Sequence, residues 1–203
     1  MGRIADIEQL RTIYRQPKGR AAVKVIHSFE KHSRRMIELS PFLVISTTGA
    51  DGIADVSPRG DGPGFVKVLD DRTLAIPDRP GNNRLDTLTN ILSNPAVGTI
   101  FFVPGVDEVL RVNGTAEIRD DPELLAPFEM RGKLPATVLV VQAQEIYLHC
   151  AKAIMRSGLW KAETQVERSA LPTIGQMIAD QVGEERPPET QQEVERQYEQ
   201  VLY

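Results

Sequence analysis

A chain of 203 residues with 41% hydrophobic and 26% charged side chains is long enough for one well-buried core. Its net charge of −4 and pI near 5.5 argue against a dedicated nucleic-acid or anionic-membrane binder, since both need a broad basic surface. The single Cys150 rules out an intrachain disulfide and a cysteine-based zinc site; no apolar run approaches a membrane span and the polar start lacks a secretory signal, so a cytoplasmic setting is expected.

In chain order, Ile7, Leu10 and Ile13 recur at helical spacing until Pro17-Lys18-Gly19 breaks the run. A second helix is predicted from Ala22 through Val25, Ile26, Phe29, His32, Ser33 and Met36, ending near Ser40-Pro41. The middle of the chain is rich in β-branched residues and turn signals. Strands are predicted at 42–48, 54–58, 65–69, 73–76, 96–103, 109–118 and 137–150. Two helices interrupt them, one over 84–93 burying Leu85, Leu88 and Leu92, and one over 121–130 with Asp120 or Asp121 as cap and Pro122 in its first turn. Residues 157–203 are helical and highly charged again. Many antiparallel strands with few helices between them imply a mainly β chain with added helices, a small barrel that closes on itself and not a βαβ sheet.

Three stretches carry candidate chemistry. In IPDRPGNNRLDTL, Asn82 or Asn83 is a good N-cap, which puts Arg84 at the first helical position beside unpaired N–H groups. That is the wrong end of a helix for a cation unless an anion such as a phosphate arrives, with Arg79 as a second guanidinium. Surface pairing of Arg79 and Arg84 with Asp78 and Asp86 explains the same residues equally well. In ADVSPRGDGPG, Ser57 and Arg59 bring donors to a turn where Gly60, Gly62 and Gly64 permit close approach to the backbone. In HCAKAIMRSGLW, Lys152, Arg156 and Trp160 recur at helical spacing, and Trp160 serves equally well as core or interface filler or as a flat face for a planar ring.

Taken in order, SPRGD, LAIPDRPGNNRLDTLTNILSNPAVGTIFFVPG, LRVNGTAEI and HCAKAIMRSGLW resemble the pyridoxamine 5′-phosphate oxidase-like flavoproteins, in particular a subgroup of FMN-dependent proteins of unassigned substrate. The resemblance covers about residues 40–160 and implies a single domain: a six-stranded antiparallel split β-barrel over 41–160, with helical extensions at 1–40 and 161–203. It further implies a homodimer with FMN in clefts between subunits. By that resemblance Ser57, Pro58, Arg59, Gly60 and Asp61 lie along the flavin edge and ribityl chain, and Ile76 and Pro77 contact the flavin through backbone groups. Asn83 and Arg84 grip the phosphate with help from Arg79, while Arg156 and Trp160 reach toward the ring from the second subunit. Departures fall near Val109, where the oxidases carry a glutamine, at the Gly62 region, where they carry a lysine, and at the charged C-terminus, which lacks their substrate-holding strand motif. FMN binding is thus better supported than pyridoxamine oxidation.

Other chemistries find less support. His27, His32 and His149 offer no third ligand at metal-site spacing. Ser57 lacks a G-x-S-x-G elbow. The expected function is an FMN-dependent oxidoreductase acting on a small molecule; the competing readings are a non-catalytic flavin- or haem-binding module and an F420-dependent reductase on the same fold.

Overall fold

A computed structural model describes residues 2–185, 187 and 189–202. The β-branched middle of the chain forms seven strands: β1 Phe42–Thr48, β2 Ala54–Gly60, β3 Lys67–Val68, β4 Thr73–Asp78, β5 Ala96–Phe102, β6 Val109–Arg119 and β7 Thr137–His149. They form one sheet in the order β2-β1-β5-β6-β7-β4-β3, with every pairing antiparallel. Each strand falls on a predicted segment. The count differs from six because β3, reduced to two residues, adds a short flap to six longer strands by pairing Lys67 with Ala75 and Val68 with Leu74. The sheet does not close on itself, since β2 and β3 do not pair.

Alternation builds the core. In β1, Leu43, Ile45 and Thr47 turn inward while their neighbours face out. Phe101, Leu110, Val112, Leu139, Val141 and Ile146 meet them from β5, β6 and β7, all at or near complete burial. The long β6–β7 ladder shifts register between Asn113 and Gly114. A Cβ at Gly114 would overlap the carbonyl oxygen of Gln142, so the glycine of the RVNG stretch serves close strand packing at a bulge.

The N-terminal helices are α1 Ile7–Ile13, α2 Arg20–Val23 and α3 Lys31–Leu39. The single helix expected from Ala22 onward is therefore broken in two. Pairing between β4 and β7 stops at Gln142, which leaves the far edge of Ile146 open, and Ile26 fills it with reciprocal backbone bonds of 2.9 and 2.8 Å. β-branched Ile26 thus leaves the helix for the sheet, and His27 beside it donates from Nδ1 to the Gln144 carbonyl at 2.6 Å. The helix resumes as α3 behind a capping box in which Glu30 accepts from the N–H groups of His32 and Ser33. Phe29 and Ile37 then pack into the core.

The remaining helices are α4 Asp86–Ser93, α5 Pro122–Leu125, α6 Lys152–Ser157, α7 Ile174–Val182 and α8 Gln191–Val201. The predicted 121–130 helix is only α5 followed by a 3-10 turn over Ala126–Phe128, with Asp121 at the N-cap and Pro122 at the first position as expected. Among the described residues no helix is long and apolar enough to cross a membrane.

Candidate functional site

A sheet with this strand order has two edges, and a cleft of about 920 Å³ opens between them. β2 is one edge. The other belongs to the end of β4, because β3 covers β4 only at Leu74 and Ala75 and leaves Ile76–Asp78 without a strand on that side. Pro58 and Pro77 lie one on each lip, where the missing N–H costs the sheet least. The loop 79–85, the first turn of α4 and Leu134, Ala136 and Thr137 complete the lining.

The lips are tied together. Asp61 follows β2 and Arg79 follows β4; Arg79 Nε donates to Asp61 Oδ2 at 2.8 Å, with the two side chains 17% and 2% exposed for Arg79 and Asp61. A second nitrogen, Nη1 of Arg79, donates to the Phe128 carbonyl at 2.8 Å. Arg79 therefore lines the cleft while two of its donors hold the fold.

Arg59 lies on the β2 lip, half-buried. Its Nη1 donates both to the Ser57 hydroxyl and to the Pro58 carbonyl, the latter at 2.9 Å, so the guanidinium lies back along its own strand. Opposite it, burial pushes the Asp78 carboxyl above the usual carboxylate range, while the Arg59 charge pulls the other way. The Asp78 side chain makes no hydrogen bond or ion pair among the described residues. Its register partner across β4–β7 is Thr137, whose hydroxyl is buried without a hydrogen-bond partner among the described residues.

At the other end, the expected N-cap moves. α4 begins at Asp86, with Leu85 as N-cap in the left-handed region at φ 60°, and Asn83 is left-handed too at φ 57°. Arg84 therefore precedes the helix instead of opening it. The Asn82 side chain accepts from the Arg84 N–H at 3.1 Å, an Asx turn that uses the asparagine for the loop and not for the helix. Arg84 reaches forward to Asp86 at 2.8 Å, and that bond holds its guanidinium still more firmly protonated. The shift also changes the buried face. α4 buries Thr87 and Ile91, with Leu88 packed on the core, whereas Leu85 and Leu92 are exposed.

The cleft thus gathers Ser57 to Gly60, Pro77, Arg79, Asn83 and Arg84. Ile76 is fully buried in the core, and Asp61 acts behind the wall through Arg79. α6 ends at Gly158 in the left-handed region, so Trp160 lies beyond the helix; its indole N–H donates to the Val106 carbonyl at 2.9 Å. Arg156 is exposed and unpaired among the described residues, and neither it nor Trp160 lines the cleft of its own chain. Asp78 and Thr137 were missed from sequence. In the sequence Asp78 reads as a surface partner of Arg79, which instead pairs with Asp61, and nothing in the letters shows that Thr137 lands opposite it.

These residues fit a phosphorylated planar cofactor. Guanidinium and amide donors gather at one end, exposed strand-edge backbone lies along the length, and an orphaned buried hydroxyl waits at the wall. The sequence model of the pyridoxamine 5′-phosphate oxidase family matches residues 29–150, more than half of the chain. The chain belongs to the pyridoxamine 5′-phosphate oxidase family. It shares the mainly antiparallel fold of these flavin-binding split barrels.

None of the curated proteins matches the chain. Among solved structures, it is similar to HupZ of Group A Streptococcus at 18% identity, over 59% of this chain and 93% of that one, with a TM-score of 0.49. It is similar to General Stress Protein 26 of Bacillus anthracis at 20% identity, over 58% and 93%, with a TM-score of 0.42. It is likewise similar to an FAD binding protein of Mycobacterium smegmatis at 18% identity, over 61% and 97%, with a TM-score of 0.42.

A second, more apolar depression of about 440 Å³ lies elsewhere on the molecule, lined by Val44, Phe102, Val109, Arg111, His149 and Ile154 among others. Burial, with the charges of Lys24 and Arg111, lowers the His149 pKa and favours a neutral ring.

Proposed function

We propose that the protein is an FMN-dependent oxidoreductase that acts on a small molecule as a homodimer. The observation that carries this reading is the convergence of Arg59, Arg84 and the Asn82-Asn83 turn on one cleft between two strand edges, in a chain of a flavin-binding family. Arg84, with Asn83, holds the phosphate; doing so requires it to turn from Asp86, an exchange of one charge-assisted bond for another. Arg79 positions the cleft wall through Asp61 and adds positive charge near the phosphate.

The β2 and β4 lips hold the ring, with Pro58 and Pro77 giving it apolar contact and the Ile76 region giving it backbone groups. FMN, when bound, supplies hydride or electron transfer, so the chain needs no acid–base pair of its own for the redox step. Arg156, exposed and unpaired among the described residues, and Trp160 reach the cleft of the partner subunit and close it over the reacting face. The substrate stacks on the ring at the subunit boundary.

Absorbance of the purified protein tests the reading. An oxidised-flavin spectrum that bleaches with dithionite or NAD(P)H, with FMN released on denaturation, supports it. A Soret band would replace it with haem binding, and a colourless protein that binds only added F420 would replace FMN by the deazaflavin. A flavin that never turns over with any reductant would leave a binding module.

A further inference from the structure

Asp78 and Thr137 are register partners on β4 and β7, and both line the cleft. Among the described residues the buried Thr137 hydroxyl has no hydrogen-bond partner, which is costly, and the half-buried Asp78 carboxylate makes no hydrogen bond, so both are available to a group entering the cleft. Across from them, Arg59 uses only Nη1 for Ser57 and Pro58, which leaves Nε and Nη2 as donors. The wall therefore offers one strong acceptor together with two donors. That set complements a cyclic imide, in which an N–H lies between two carbonyls, as at the pyrimidine edge of a flavin.

We infer that Asp78 is a specificity-determining residue that accepts the imide N–H of the bound ring, with Thr137 and Arg59 donating to the flanking carbonyls. The inference rests on the flavin reading above and deepens it. It also fixes orientation: with Asp78 at the imide, the ring lies between the lips and the phosphate at the Asn83-Arg84 end, where Arg84 must exchange its Asp86 partner for it. A haem has no imide and would leave Asp78 unanswered.

The test is flavin-fluorescence titration of the full chain, freed of cofactor, with FMN and with FMN methylated at the imide nitrogen. The natural protein is expected to bind FMN about tenfold or more tighter than the methylated compound, the range for a hydrogen bond to a charged group. Asp78→Ala is expected to narrow that ratio to about twofold by weakening FMN alone. Asp78→Asn, which keeps a neutral acceptor and the shape, is expected to fall between them, and serves if the alanine variant does not fold. Equal binding of the two flavins by the natural protein overturns the inference and leaves the flavin reading standing, as does an unchanged ratio in a folded Asp78 variant. Failure of the natural protein to bind FMN at all overturns both.

Discussion

Arg79 Nε and Asp61 Oδ2, 2.8 Å apart, join the residue that follows one sheet edge to the residue that follows the other. The carboxylate side chain is only 2% exposed, so removing either partner strands a charge away from water. Asp61→Ala is expected to destabilise the fold by about 3 kcal/mol, measured by urea unfolding, and to lower flavin affinity because the lips separate. Replacing both residues with apolar partners is expected to recover much of the stability.

Arg84 is a contrasting case, because its pair with Asp86 lies in water. Arg84→Ala is expected to leave the unfolding midpoint nearly unchanged while weakening FMN about tenfold or more. Riboflavin, which lacks the phosphate, is expected to bind the natural protein and the variant alike. Calorimetric titration with both ligands checks the difference. Equal losses for FMN and riboflavin would remove Arg84 from the phosphate site.

Gly114 is expected to tolerate no side chain. Gly114→Ala places a methyl group on the Gln142 carbonyl where β6 and β7 change register, and both partners are backbone in the middle of the longest ladder. A loss of about 2–3 kcal/mol is expected from the overpacking, seen as a lower urea midpoint or as insoluble protein. Gly98→Ala, which would meet only the Asn113 side chain at 3.3 Å, is the milder control.

Asp78 sets a pH dependence of definite sign. Its folded pKa lies above the ordinary 3.8 through burial, so the folded state holds the proton more tightly than the unfolded chain. The stabilisation this gives is full below the unfolded pKa and is lost as pH rises through the folded value. At neutral pH the ionised carboxylate therefore opposes folding of the flavin-free chain, and Asp78→Asn is expected to raise its Tm. The gain is expected to vanish near pH 3, where both side chains are neutral; thermal melts at the two pH values check it.

The antiparallel strands were legible because period-2 alternation and turn residues are local signals. Leu43, Ile45 and the Gly49–Gly52 turn announce β1 and β2 without reference to anything distant. What escaped depended on a partner far along the chain. Ile26 keeps helical spacing with Phe29, yet it pairs with Ile146 because β4 stops short there. Arg84 reads as a helix opener because Asn82 and Asn83 are good caps, but left-handed Asn83 and Leu85 delay the helix to Asp86. Trp160 keeps a four-residue spacing from Arg156 that Gly158 interrupts. For the site, the grouping of the β2 and loop residues was readable from their motifs, whereas the Asp78–Thr137 pairing exists only through strand register.

The prolines of the two lips have a consequence for the chain before any cofactor reaches it. An unfilled groove bounded by strand edges presents unsatisfied backbone groups to other chains, the template on which β-rich proteins recruit one another into aggregates. Pro58 and Pro77 each remove an N–H from those edges and interrupt the row a foreign strand would need. A chain whose cleft is empty is thereby kept from self-adhesion by the same two prolines that, on the flavin reading, give the ring its apolar contact.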